Sequence, residues 1–172
     1  MMKGTNKMKN YMKPAYTNGN EDYILSVINS NEKINKKYKT FTRATGRFSV
    51  YDSVSPDYIG ELKTRTFGLF SDTDPKAFHP FILKGLMLEK QKYNNLMIKS
   101  KQFNKPALYI NHLQGDHIII FNLNKIDMSK IRIRDMVCTD KKTLKKIVKP
   151  SYLLNYTLGE LYINQLETMG TY

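Results

Sequence analysis

The alternation of apolar and polar positions is clearest in residues 47–66, which read RFSVYDSVSPDYIGELKTRT. Ser55-Pro56-Asp57-Tyr58 has the composition of a type I turn, because Ser suits its first position and Pro pre-sets φ at its second. Pairing Ser55 with Tyr58 makes a β-hairpin in which Val54 lies opposite Ile59 and Asp52 lies opposite Glu61. Side chains alternate between the two faces of a strand. One face therefore mixes two carboxylates and a lysine with apolar residues: Phe48, Val50, Asp52, Val54, Ile59, Glu61 and Lys63.

Helical periodicity predicts two helices. The first runs from Asn20 to Lys36 or Lys37, with Asn20 as its N-cap and two acids in its first turn. It carries an apolar stripe at helical spacing: Tyr23, Ile24, Val27 and Ile28. The second and longer helix is predicted from Phe81 to Phe103, where Gly85 weakens its first half and Pro106 follows its end.

The apolar patterns in the rest of the chain predict β-strands. Leu108 to His112 and His117 to Leu123 predict a second hairpin. Ile131 to Arg134 alternates and predicts a strand with one basic face, and Tyr152 to Leu154 predicts a final short strand. The stretch from Leu158 to Tyr172 is only weakly amphipathic. The predicted fold class is therefore α/β, with a mixed central β-sheet that has the first hairpin at its core and is flanked by the two helices.

The length of the chain indicates its number of domains, and its charge indicates the kind of partner it binds. A chain of 172 residues with 41% hydrophobic residues predicts one domain, placed at 20–166, after a basic flexible leader at 1–19 and before a flexible tail at 167–172. The formal net charge is +13, and five lysines lie between 141 and 149. This balance is typical of proteins that bind polyanions, although charge alone does not separate DNA from RNA or from an anionic surface.

Cysteine usage and hydropathy limit the cellular compartments in which the protein is expected. The single cysteine, Cys138, excludes a disulfide framework and a cysteine-based zinc site, and it suits a reducing cytosol. No apolar run approaches the ~18–20 residues that span a membrane, and the N-terminus lacks the apolar region of a signal peptide. We therefore expect a cytoplasmic protein without a membrane partner. His112 and His117 lack a third ligand at useful spacing, which disfavours a histidine metal site.

The opposed acids of the first hairpin suggest a metal site. Like charges directly opposite each other destabilise a strand pair, and partial burial raises the penalty. A hard divalent cation would remove this cost, because Mg²⁺ prefers carboxylate oxygens. Lys63, one pleat beyond Glu61, could then contact whatever the metal holds. The alternative is an ordinary hairpin in which a one-residue slip turns both acids towards solvent, and the spacing leaves both interpretations open.

The same residues resemble a known family. Asp52 on one strand and Glu61-Leu62-Lys63 on the next resemble the PD-(D/E)XK nuclease superfamily. The order of elements from Phe48 to Leu123 is similar to that of small members in phages and giant DNA viruses. The bare motif also recurs at Asp74-Pro75-Lys76 and Asp140-Lys141-Lys142, but neither copy has an acidic partner on a neighbouring strand. The literal Pro56-Asp57 pair falls in the turn, so we assign its role to Asp52.

The resemblance implies a restriction-endonuclease-like core and a set of roles. Asp52, Glu61 and the carbonyl of Leu62 would hold Mg²⁺, with Mn²⁺ able to substitute. Lys63 would position or help deprotonate the attacking water, and Lys92 or Gln91 on the second helix would orient the nucleophile or the phosphate. Glu21 and Glu32 are further candidate acids, although ordinary helix roles are favoured for both. The implied reaction is phosphodiester hydrolysis, with DNA as the preferred substrate and RNA not excluded.

One rival interpretation belongs to a different class. A non-catalytic nucleic-acid-binding or virion-associated protein can retain a nuclease fold. Under either interpretation, the expected location is the cytoplasm, which would be that of the host cell if a phage encodes the protein. The complete set of Asp52, Glu61 and Lys63 argues against this rival, because a scaffold does not need opposed acids on its apolar face. The sequence leaves endonuclease or exonuclease action and the oligomeric state open.

Overall fold

The computed structural model describes residues 19–46, 49–68, 80–140 and 143–163. The helices are α1 (Gly19–Ser30), α2 (Glu32–Tyr38), α3 (Pro80–Lys84) and α4 (Lys90–Phe103). The strands are β1 (Thr42–Arg43), β2 (Ser53–Val54), β3 (Ile59–Gly68), β4 (Leu86–Glu89), β5 (Ala107–Gln114), β6 (Ile118–Asn122), β7 (Ile133–Thr139), β8 (Lys146–Leu154) and β9 (Glu160–Tyr162). The predicted leader, apart from Gly19, and the whole of the predicted tail lie outside the described residues.

The strands form a larger mixed sheet and a smaller antiparallel one. The larger sheet has the order β1-β2-β3-β5-β6-β9, and the smaller has the order β4-β8-β7. β3 runs antiparallel to β2 but parallel to β5. A parallel pair needs a crossover connection, and the segment that contains α3, β4 and α4 supplies it. The predicted fold class, a mixed central sheet flanked by helices, is confirmed.

Apolar layers cover both faces of the larger sheet. On one face, α1 and α2 pack Ile24, Ile28 and Ile34 against the sheet. On the other face, α4 and the smaller sheet pack Leu96 and Leu88 against Ile59 of β3. This second layer fixes which side chains of β3 meet α4. None of the helices in the described part of the chain is both long and apolar enough to cross a bilayer.

The predicted helix from Phe81 to Phe103 is confirmed over residues 90–103 but is wrong in its first half, which is interrupted by a strand. Gly85 adopts φ +107°, a left-handed conformation that favours glycine and ends α3. Leu86–Glu89 then forms β4 and pairs with the end of β8, so that Leu86 lies opposite Leu154. A Cβ atom at Gly85 would lie 3.0 Å from the Cβ of Leu153, so the strand pairing also leaves little room there. α4 begins only at Lys90.

The predicted first helix is two helices. α1 starts at Gly19, so Asn20 lies inside the first turn and is not the N-cap. The chain then breaks at Asn31, whose side chain caps α2 by accepting a hydrogen bond from the Ile34 amide at 3.1 Å. Asn, like Ser or Asp, competes with helical hydrogen bonding in a helix interior and favours caps.

The strand predictions are confirmed at the centre of the sheet and corrected at its edges. β5 and β6 form the predicted second hairpin, and Val54 lies opposite Ile59 as expected. In the first hairpin, however, the strand before the turn is only Ser53–Val54, and Arg47 and Phe48 lie outside the described residues. The predicted final strand is the end of the nine-residue β8, and β9 was not predicted.

Candidate active site

A close approach of two strands fixes the position of Asp52. A Cβ atom at Gly60 would lie 2.5 Å from Ser53 Oγ, so glycine lets β2 lie directly against β3. The amide of Asp52 donates to the carbonyl of Gly60 at 2.9 Å, just beyond the end of β2. Its carboxylate Oδ2 accepts a hydrogen bond from the Leu62 amide at 2.9 Å. The side chain of Asp52 is therefore held beside Glu61.

Glu61 is a buried acid, with only 7% of the residue exposed. Burial, reinforced by the neighbouring Asp52 charge, raises the pKa of Glu61 to about 8. Its Oε2 is buried and has no hydrogen-bond partner in the described part of the chain. An unpartnered buried oxygen is costly. The cost would be removed by a proton on Glu61 or by a cation bound at Oε2.

Lys92 reaches the acids from α4. Its Nζ lies 2.7 Å from Oε1 of Glu61. Burial on its own would lower the pKa of Lys92, but the interaction with an ionised Glu61 outweighs burial and raises it. Gln91, one residue earlier, is exposed and makes no hydrogen bond to either carboxylate within the described residues.

Lys63 and Leu62 occupy the positions that strand alternation gives them. Lys63 is exposed and lies one pleat beyond Glu61 on β3. The side chain of Leu62 points the other way, into the core beneath α1 and α2. The backbone of Leu62 therefore lies between the two functional side chains, with its amide bound to Asp52.

A polar network that the sequence analysis missed continues along the same face. Arg65 donates through Nε to Oδ1 of Asn111 at 2.8 Å, and through Nη2 to the Tyr109 hydroxyl at 2.7 Å and to the Met87 carbonyl at 2.9 Å. Burial raises the pKa of Tyr109 to about 12. The continued alternation of Glu61, Lys63 and Arg65 is the sequence signal that could have placed Arg65 on this face.

The other candidate acids lie in ordinary structural positions. Glu21 forms an ion pair with Arg43 at 3.0 Å, and Glu32 is exposed in the first turn of α2. Asp57 is exposed in the turn. His112 is buried, and its Nε2 lies 2.7 Å from Oδ1 of Asp116. None of these four groups forms a hydrogen bond or ion pair with Asp52 or Glu61 in the described part of the chain.

The donor set fits Mg²⁺ or Mn²⁺ better than a softer metal. Across residues 19–46, 49–68, 80–140 and 143–163, no group of three or more His, Cys, Asp or Glu side chains is placed to hold a metal ion. An ion at this site would therefore have two carboxylates, with backbone or water oxygens completing its shell. Mg²⁺ is commonly bound in this way, through one or two carboxylates and several waters. The unpartnered Oε2 of Glu61 provides a free ligand atom.

The chain was compared with family models, curated proteins and solved structures, and solved structures with a similar fold were found. No family model matches the chain, and no curated protein matches it. Among solved structures, the fold is similar to Hjc of Archaeoglobus fulgidus, a Holliday junction resolvase from an archaeal hyperthermophile. The match has 15% sequence identity and a TM-score of 0.40, and it covers 70% of this chain and 81% of that chain.

Proposed function

We propose that this protein is a divalent-metal-dependent nuclease that hydrolyses phosphodiester bonds, with DNA as its substrate and internal cleavage as its mode. One observation carries the proposal: Asp52 lies beside Glu61, which is only 7% exposed and whose Oε2 has no hydrogen-bond partner in the described part of the chain. Burial and the neighbouring Asp52 charge both raise the pKa of Glu61. Strongly perturbed carboxylates with a specific charged partner are concentrated at functional sites.

Each side chain of the site has a role in this chemistry. Asp52, Glu61 and the Leu62 carbonyl would hold Mg²⁺, or Mn²⁺ in its place, and the ion would polarise the phosphate and acidify a bound water. Lys63, exposed beside the acids, positions the attacking water and offsets the negative charge that develops on the phosphorus oxygens. Lys92 orients the Glu61 carboxylate through its 2.7 Å contact and places a positive charge where a phosphate would lie.

Two features support a nucleic acid as the substrate. The net charge of +13 favours a polyanion over a small phosphate ester. The exposed position of Lys63 leaves the site accessible from outside the fold. DNA is proposed over RNA because of the resemblance to small phage and giant-virus nucleases carried by Asp52 and Glu61-Leu62-Lys63.

Cleavage of a closed circular plasmid tests the proposal. With Mn²⁺ or Mg²⁺, the wild type should nick or linearise the circle, which a nuclease that needs a free end cannot do. Asp52→Asn should abolish cleavage, because it removes one metal-binding charge but keeps an oxygen that can accept from the Leu62 amide. Asp57→Asn, an equal loss of charge in the exposed turn, is the matched control and should cleave like the wild type. A wild type that binds the circle but never cuts it would support the rival, a non-catalytic binding protein.

A further inference from the structure

The smaller sheet extends beyond the core as a two-stranded ribbon. β7 and β8 pair from Ile133↔Tyr152 to Thr139↔Lys146, but β4 pairs only with residues 151–154 of β8. Among the described residues, the outer five pairs, between residues 135–139 and 146–150, therefore have no third strand beside β8. We call the described residues 135–140 and 143–150 the ribbon arm. None of them is buried.

The ribbon arm is unusual because it is a two-stranded ribbon with no neighbouring strand among the described residues. An isolated two-stranded ribbon is marginally stable in water, so a free-standing one is more often a contact element than a structural one. Five pairs at ~3.4 Å per residue give a length of about 17 Å. The major groove of B-DNA, roughly 12 Å wide, admits a two-stranded ribbon of this kind. The arm is therefore of a size that can enter a DNA groove.

The surface of the arm combines positive charge with exposed apolar side chains. Residues 135–150 contain five lysines and two aspartates, and Lys145 and Lys146 are both exposed at the outer end of the arm. Val137 and Val148 lie directly opposite each other and are 65% and 62% exposed. Phosphate contacts come from lysines, whereas valine methyl groups suit sugars and thymine methyls. The exposed lysines and the exposed valine pair together are therefore suited to contacts with the phosphates and sugars of a DNA groove.

The base of the arm adjoins the candidate active site. Lys149 Nζ lies 2.8 Å from Oε2 of Glu89, the residue that directly precedes α4. Lys92, in the first turn of α4, lies 2.7 Å from Oε1 of Glu61. The inner end of the arm is therefore connected to the acid pair through Glu89 and the first turn of α4. A duplex whose phosphodiester lies at Asp52 and Glu61 would have its continuing helix within reach of the arm.

We propose that the ribbon arm is a DNA-binding element that lies in a groove of the duplex next to the cleaved bond; this rests on the proposed function. The charge of the arm favours DNA over a second copy of the chain as its binding partner. Two copies meeting through this surface would bring together two segments that each carry five lysines against two aspartates, within a chain of net charge +13. Phosphates complement the same lysines.

A pair of double variants tests the charge of the arm. Lys145→Gln/Lys146→Gln removes two charges from the arm, and Lys33→Gln/Lys36→Gln removes two exposed charges from α2 as the matched control. Binding to a 20-base-pair duplex would be followed by fluorescence anisotropy in metal-free buffer over a range of salt concentrations. The arm variant should bind more weakly, and its log–log salt slope should fall by up to ~1.8, or ~0.9 per lost phosphate contact. The control should keep the wild-type slope.

A second variant tests the apolar pair. Val137→Ser/Val148→Ser should lower the affinity for the duplex while leaving the salt slope unchanged, with melting curves confirming that the variant folds. Equal behaviour of the two lysine variants would overturn the proposal, since only the total charge would then matter. So would a wild-type dimer in sedimentation that the valine variant turns into a monomer.

The two proposals fail in different ways. If the wild type shows arm-dependent binding but no metal-dependent cleavage, the ribbon arm stands as a DNA-binding element and the nuclease does not. If the arm variants bind and cleave like the wild type, the nuclease stands and the role of the arm is overturned.

Discussion

The stability of the metal-free protein should depend on pH through Glu61. Its ordinary pKa is 4.5 and the fold raises it to about 8, so between these values the folded protein binds a proton that the unfolded chain has lost. The free energy of unfolding must therefore fall as pH rises through this window. The difference is about 3.5 pKa units, and each unit corresponds to ~1.36 kcal/mol, which gives at most about 5 kcal/mol. Between pH 5.5 and 7.5 the expected loss is about 2–3 kcal/mol.

Glu61→Gln isolates this contribution, because glutamine keeps an oxygen for Lys92 and does not titrate. Urea unfolding of the wild type and the variant, in chelator and at several pH values, would give both free energies. We expect the two proteins to be similarly stable near pH 5. Above pH 5, the free energy of unfolding of the variant should rise relative to that of the wild type by up to about 1.4 kcal/mol per pH unit. Parallel pH profiles, with no gain for the variant, would show that Glu61 ionises normally and that the acid pair is not strained.

Three further predictions concern neighbouring side chains. Mn²⁺ at a hundredfold excess over its Kd should stabilise the wild type by about 2.7 kcal/mol in thermal melts. Asp52→Asn should lose most of that gain without melting below the metal-free wild type, and a variant that is simply unstable would instead make Asp52 structural. Lys63→Ala should lower the cleavage rate by roughly 10²-fold or more while its DNA-binding salt slope stays nearly unchanged, and a loss of binding alone would contradict its catalytic role. Arg65→Ala should cost about 2–3 kcal/mol of stability in denaturant titrations, because Asn111 Oδ1 loses its donor in a fully buried position, and a neutral result would mean that water replaces the guanidinium.

The turn of the first hairpin could be predicted because residues close together in the sequence determine its geometry. Ser55 and Pro56 define the turn, and the turn sets the register in which Val54 lies opposite Ile59, with Asp52 just beyond the end of β2. The buried strands β5 and β6 were equally clear, since their apolar runs are bounded by Pro106 and Gly115. Where a short segment specifies its own geometry, the fold follows from the pattern of residues.

The failed predictions depend on contacts between distant segments. Residues 81–103 have apolar residues at helical spacing, but Leu86 pairs with Leu154, some 70 positions later, and this pairing turns the segment into a strand. Arg65 was missed for a related reason, because one of its acceptors is the Met87 carbonyl in that unexpected strand. Lys92 was identified only through the family resemblance, and its contact with Glu61 requires α4 to pack on the Ile59 face of the sheet.

Anomalous diffraction from crystals soaked in Mn²⁺ would test the central claim most directly. If the acid pair is a metal site, an anomalous peak should lie between Asp52 and Glu61, within about 2.0–2.3 Å of one oxygen of each, a typical distance for small divalent ions. Asp52→Asn crystals treated in the same way provide the control and should lose the peak. The contradictory result would be a wild-type crystal in millimolar Mn²⁺ that shows no peak there, with Lys92 as the only cation in contact with Glu61.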